Sequence, residues 1–94
     1  MGKYLEIVKK LSTEEVAALA YFIRYRSVGD LLAFRELRSL YGVRDPARVL
    51  LDLVNKGLLT RGFGCYTINW EVLDDEEVIE YVRRRMEGVG KRWL

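Results

Sequence analysis

Apolar residues recur every three to four positions along most of the chain, and the polar residues between them mark where each element begins and ends. In KYLEIVKKL, residues 3–11, Leu5 and Val8 share a side with Tyr4 and Leu11 at its margins, which predicts a short helix. Ser12 then opens STEE, a Ser-x-x-Glu capping box ahead of an apolar run, so a second helix is expected from about Thr13 to Arg26. At 100° per residue Val16, Leu19, Ala20 and Ile23 share its inner face, while Tyr21 and Tyr25 fall opposite, beside Glu14 and Ala18. SVGD interrupts the pattern, with Gly29 as a breaker and Asp30 as an N-cap. A third helix, from Leu31 or as late as Phe34 to Tyr41, turns Leu37, Leu40 and Tyr41 inward and closes at Gly42.

DPARVLLDLVNKG, from Asp45 to Gly57, carries start and stop signals at both ends. Asp45 is a good N-cap, Pro46 occupies the first helical position where its missing N–H costs nothing, and Gly57 suits the left-handed residue after a helix. Pro46, Leu50 and Leu53 centre the inner face, with Val49 and Val54 flanking. LLTR and CYTINW then read as two strands joined by Gly62-Phe63-Gly64, a turn with glycine on both sides of its tip. The last helix, DDEEVIEYVRRRM, begins acidic and ends in arginines, as the helix dipole favours, and Val78, Ile79, Val82 and Met86 form its stripe. The tail EGVGKRWL is expected to fray.

The expected fold is therefore mainly α with a small β-hairpin. The 94 residues make a single domain, 1–94, with a core over about 13–70 and a C-terminal helix over about 75–87. FRELRSLYGVRDPARVLLDLVNKGLLTRGFGCYTI resembles the core of the winged helix-turn-helix superfamily, in its REL helix, YGV turn, helix ending VNKGLL and hairpin wing. That resemblance covers about Thr13 to Trp70 and implies a winged helix-turn-helix with extra N- and C-terminal helices. It implies a fold, not a ligand: many winged helices bind DNA, and others bind only proteins.

Under the DNA-binding reading the 45–56 helix would lie in the major groove. Its outward face carries Arg44, Arg48, Leu51, Asp52 and Asn55. Arg48 can bridge guanine and Asn55 adenine, and Arg44 suits a phosphate. Lys56 and Arg61 are further phosphate contacts, and Phe63 at the wing tip could wedge into a groove or fold back onto the domain. Leu51 and Asp52 depart from this pattern, because an exposed leucine gains little in a groove and an aspartate repels phosphate. Alternatively Arg48 and Asp52, spaced i to i+4, pair on a solvated surface.

Composition narrows the function more than it selects one. A net charge of +2 does not by itself indicate nucleic acid. The chain has no histidine, no glycine-rich phosphate loop and no metal-ligand cluster, so no enzyme, no cofactor and no metal are expected. In Arg83–Arg85 three consecutive helical residues point three ways, and Glu80–Arg84 and Arg83–Glu87 make opposite-charge pairs. DDEE reads as capping and dipole complementarity, and Cys65 as a buried structural thiol. The absence of glutamine, with asparagine only at 55 and 69, fits a heat-adapted chain. No apolar run is long enough for a membrane and no signal peptide opens the chain, so the cytoplasm is the expected location.

Tyr21 and Tyr25, one turn apart on an outer face, require a cover. The final helix is the first expectation, and a homodimer or a protein partner the next. Two functions remain open: a small transcription-regulator-like protein binding double-stranded DNA, or a winged-helix interaction module serving as accessory subunit of a replication, transcription or ribosomal assembly.

Overall fold

The computed structural model describes residues 2–88. Its elements follow in order α1 (Lys3–Lys9), α2 (Thr13–Tyr25), β1 (Ser27–Gly29), α3 (Asp30–Tyr41), α4 (Pro46–Asn55), β2 (Leu59–Gly62), β3 (Cys65–Ile68), α5 (Trp70–Leu73) and α6 (Glu76–Gly88). The molecule is mostly helical with a small three-stranded antiparallel sheet, and the sequence α2–β1–α3–α4–β2–β3 is compatible with a helical domain carrying a β wing.

The caps act locally as their residue types require. The Ser12 hydroxyl accepts from the Glu15 amide while the Glu15 carboxylate accepts from the Ser12 amide, which completes the capping box. Asp45 accepts from the Arg48 amide with Pro46 next to it, and Gly57 leaves α4 at φ 80°. The first turn of α3 differs from the expectation. Asp30 is already helical and Gly29 is the cap, without a side-chain bond, because the backbone there is committed to a strand.

That strand is β1, and SVGD is therefore not a simple break. Ser27, Val28 and Gly29 pair with Thr67, Tyr66 and Cys65, while β2 takes the other side of β3, giving the order β1-β3-β2. Arg26 makes the corner between α2 and β1 at φ 70°, ψ −53°, a conformation rare for a residue with a side chain. Its carbonyl accepts from Ile68 N at 2.7 Å, which ties the end of α2 to the end of β3. CYTINW stops being a strand at Ile68. Asn69 caps the short helix α5 through Glu71 N, and its amide donates to the Gly57 carbonyl at 2.8 Å and to the Tyr4 hydroxyl.

Helix α2 is the centre of the core and is not one-sided. Every residue from Val16 to Ile23 is buried, because α3, α4, α6 and the sheet pack around it. The inner stripe of α6 is Val78, Val82 and Met86, with Ile79 partly buried, and α1 contributes Val8 and the following Leu11. All the buried apolar residues form one cluster. Leu40, expected inward, is 63% exposed: α3 buries Ala33 and Leu37, and Leu40 lies outside that narrow stripe.

Candidate functional site

The outer face of α4 follows from its inner one. Leu50 and Leu53 are fully buried against the core, which turns Arg48, Leu51 and Asn55 to solvent, with Leu51 49% exposed and Asp52 half-buried. Arg48 and Asp52 do not form the ion pair their spacing allows; none of the ion pairs among the described residues joins them.

The flanking cations are held by the protein itself. Arg44 Nε lies 3.3 Å from Glu14 Oε2, and Lys56 Nζ lies 3.4 Å from Glu15 Oε2. Both ends of α4 are thereby tied to the first turn of α2. Burial raises the Glu15 pKa, but the Ser12 amide bond and the Lys56 charge outweigh it, and the carboxyl ends below its ordinary value. Arg61 lies over the Tyr66 ring, 5.5 Å from its centroid.

Phe63 does not fold back. It stands fully in solvent at the wing tip, where Gly64 takes φ 66° to close the turn. The turn is anchored on the start of α3, since Asp30 N donates to Gly64 O at 2.9 Å. The structure thus brings Arg48, Leu51 and Asn55 together on α4, turns Lys56 back to α2, leaves Arg44 solvent-exposed beside Glu14, and places Arg61 and Phe63 on a separate wing.

The two tyrosines have a different cover from the one expected. Tyr21 is buried, but by α3: its hydroxyl donates to Glu36 Oε1 at 2.6 Å, and its ring meets Phe22, Tyr25 and Tyr41 at centroid distances of 5.1, 5.0 and 5.5 Å. Burial first, then the bond and charge of Glu36, push the Tyr21 phenol well above its ordinary range. Burial and the neighbouring Tyr25 raise Tyr41 as well, partly opposed by Arg24. Tyr25 is about half exposed, with Arg24 over its ring. The final helix covers another part of α2.

Other expectations are also refined. Cys65 is half-buried rather than buried. Arg84 pairs with Glu80 as expected, but Arg83 pairs with Glu80 too instead of Glu87. Asp75 caps α6 through the amides of Glu77 and Val78, so the acidic run is structural. Among the described residues no group of His, Cys, Asp and Glu could hold a metal ion, and no helix is long and apolar enough to cross a membrane.

Sequence reasoning overlooked Leu31, Leu32 and Trp70, all exposed apolar side chains. A signal existed for the leucines: a helix that buries Ala33 and Leu37 cannot also bury both members of an adjacent pair before them.

By fold and surface the chain is first of all a small helical domain with a β wing and an exposed apolar complement. The family profile described as PolB1 Binding Protein 2 matches residues 12–74, more than half of the chain, and the chain belongs to that family. No curated protein matches it.

Proposed function

We propose that the chain is a small accessory subunit that binds a DNA polymerase B1, acting as an interaction module and not as an enzyme. The observation that carries this reading is the family match across α2 to α5, whose description names PolB1 as the bound protein. The surface supports it. Lys56 is engaged by the largely buried Glu15, so neutralising a phosphate with it means giving up that pair; the Arg44–Glu14 pair, its arginine 92% exposed, costs little to give up. Leu51, at the centre of the face that would read bases, gains most against an apolar partner.

A second reading rests on Arg48 and Asn55, which face solvent on α4 with the chemistry to read guanine and adenine. It makes the chain a major-groove DNA binder of transcription-regulator type.

One experiment separates the two. Purified DNA polymerase B1 and, in parallel, duplex DNA are titrated into the protein by calorimetry at low and at physiological salt. The accessory-subunit reading expects a stoichiometric polymerase complex at physiological salt and only weak duplex binding with a steep salt dependence. No polymerase complex, together with duplex binding that Arg48→Ala weakens by about 1–3 kcal/mol, would overturn it in favour of the second reading.

A further inference from the structure

Four large apolar side chains stand in solvent around the junction of β1 and α3. Phe63 and Leu31 each adjoin in sequence one end of the hydrogen bond from Asp30 N to Gly64 O, which holds the wing turn against the first turn of α3; Leu31 is 78% exposed. Tyr25 and Leu32 continue the patch as the walls of a groove over Val28 and Gly29. One edge of β1 beneath them pairs with β3, and the other has no strand neighbour among the described residues.

Arginines surround this patch. Arg35 lines a second groove with Leu31, Arg26 is exposed at the corner before β1, and Arg61 is on the wing two residues before Phe63. Three acids lie near: Asp30 is half-buried, Asp45 lines the second groove, and Glu36 lines the first, where its carboxylate accepts the Tyr21 hydroxyl. With Arg24 over the Tyr25 ring and Arg38 in the second groove, arginines outnumber acids around the patch.

We infer that this patch is the surface through which the chain docks on its protein partner, and that the partner presents an acidic segment bearing bulky apolar side chains. The inference rests on the accessory-subunit reading above and adds the place and the chemistry of the contact. An apolar centre with an arginine rim is the anatomy of a protein interface, where a few desolvated anchors carry most of the affinity. The phosphate backbone of a duplex satisfies the rim but offers nothing to Phe63, Leu31, Leu32 and Tyr25. The positive rim selects an acidic partner and speeds its encounter.

The test uses the full chain and purified DNA polymerase B1 in calorimetric titrations. Leu31→Ser with Phe63→Ser removes two solvent-facing anchors, and the fold is verified by thermal melting; Phe63→Ser alone, at the wing tip, is the second variant. The double variant is expected to weaken binding on the order of 30-fold or more, the scale of interface hot spots, and the single variant to lose less in the same direction. Arg35→Glu is expected to weaken binding several-fold at low salt and less at high salt. A wild type that binds while both Phe63 variants bind equally well overturns the inference and leaves the accessory-subunit reading intact. A wild type that does not bind the polymerase overturns both. Variants that keep polymerase binding but lose self-association, or lose duplex DNA binding, overturn it in favour of a second copy or of nucleic acid.

Discussion

Replacing Tyr21 by Phe removes one oxygen from the most aromatic part of the core and leaves the ring in place. That oxygen donates to the Glu36 carboxylate at 2.6 Å, and a hydrogen bond to a charged acceptor contributes about 1.5–3 kcal/mol net. Glu36 is only half-buried, so water can replace the lost donor, and the expected cost falls to about 1–2 kcal/mol. The contacts of the ring with Phe22, Tyr25 and Tyr41 remain. For a domain of this size each kcal/mol lowers the melting temperature by about 4–8 °C, so a fall of roughly 5–15 °C is expected. Denaturant unfolding of Tyr21→Phe, Glu36→Ala and the double variant gives the coupling directly, since Glu36→Ala strands a buried hydroxyl that the second change removes. The pH dependence supplies an independent reading. The folded-state pKa of Tyr21 is raised above its ordinary 10.0, so its contribution is fully present below that pH and is lost as pH rises toward the folded value. The wild type should therefore lose stability above pH 10 more steeply than Tyr21→Phe. A variant as stable as the wild type to within about 0.3 kcal/mol, or a cycle with no coupling, would refute the reasoning.

Four further outcomes follow from the packing. Leu50→Ala should cost about 2–5 kcal/mol and Leu51→Ala less than about 0.5 kcal/mol in chemical denaturation, because the first is fully buried and the second half-exposed; equal losses would mean the phase of α4 is wrong. Asn69→Ala should cost about 1–2 kcal/mol by the same assay, since it cuts the cap of α5 and the tie to the Gly57 carbonyl together. Arg26→Gly should raise the melting temperature by relieving about 1 kcal/mol of backbone strain at φ 70°, and a fall would show that the arginine side chain contributes more than its backbone costs. The Glu15 pKa is depressed below 4.5, so its contribution is present above that pH and lost as pH falls through the folded value; Lys56→Ala should flatten the acid limb of the stability curve, and an unchanged limb would exclude the pair.

Local signals in the chain carried far. The capping box at Ser12, the Asp45-Pro46 start, the Gly57 stop and the two-glycine turn are each decided within four or five residues, and each forms as its chemistry requires. What escaped depends on partners distant in sequence. SVG becomes a strand only because Cys65–Thr67 lies beside it, and three residues alone carry no usable periodicity. Asn69 looks like the end of a strand until Gly57 and Tyr4 claim its amide. Tyr21 was legible as a residue needing cover, but the choice of α3 over α6 turns on Glu36, fifteen residues away. On the surface, the outward phase of Arg48, Leu51 and Asn55 was readable from α4 alone. The capture of Arg44 and Lys56 by α2 was not, because ion pairs across helices leave no pattern along the chain.

The all-round burial of α2 separates what is recognisable in this chain from what has to be present for it to fold. The family profile ends at residue 74, yet Val78, Val82 and Met86 lie beyond it and are part of the same core cluster, as is Val8 before it. The matched segment is thus a signature and not a module: cut out or grafted on its own, it would carry a helix apolar on every side with part of its sheath missing. Boundaries for expressing or fusing such a protein follow the edge of the buried cluster, not the edge of the similarity.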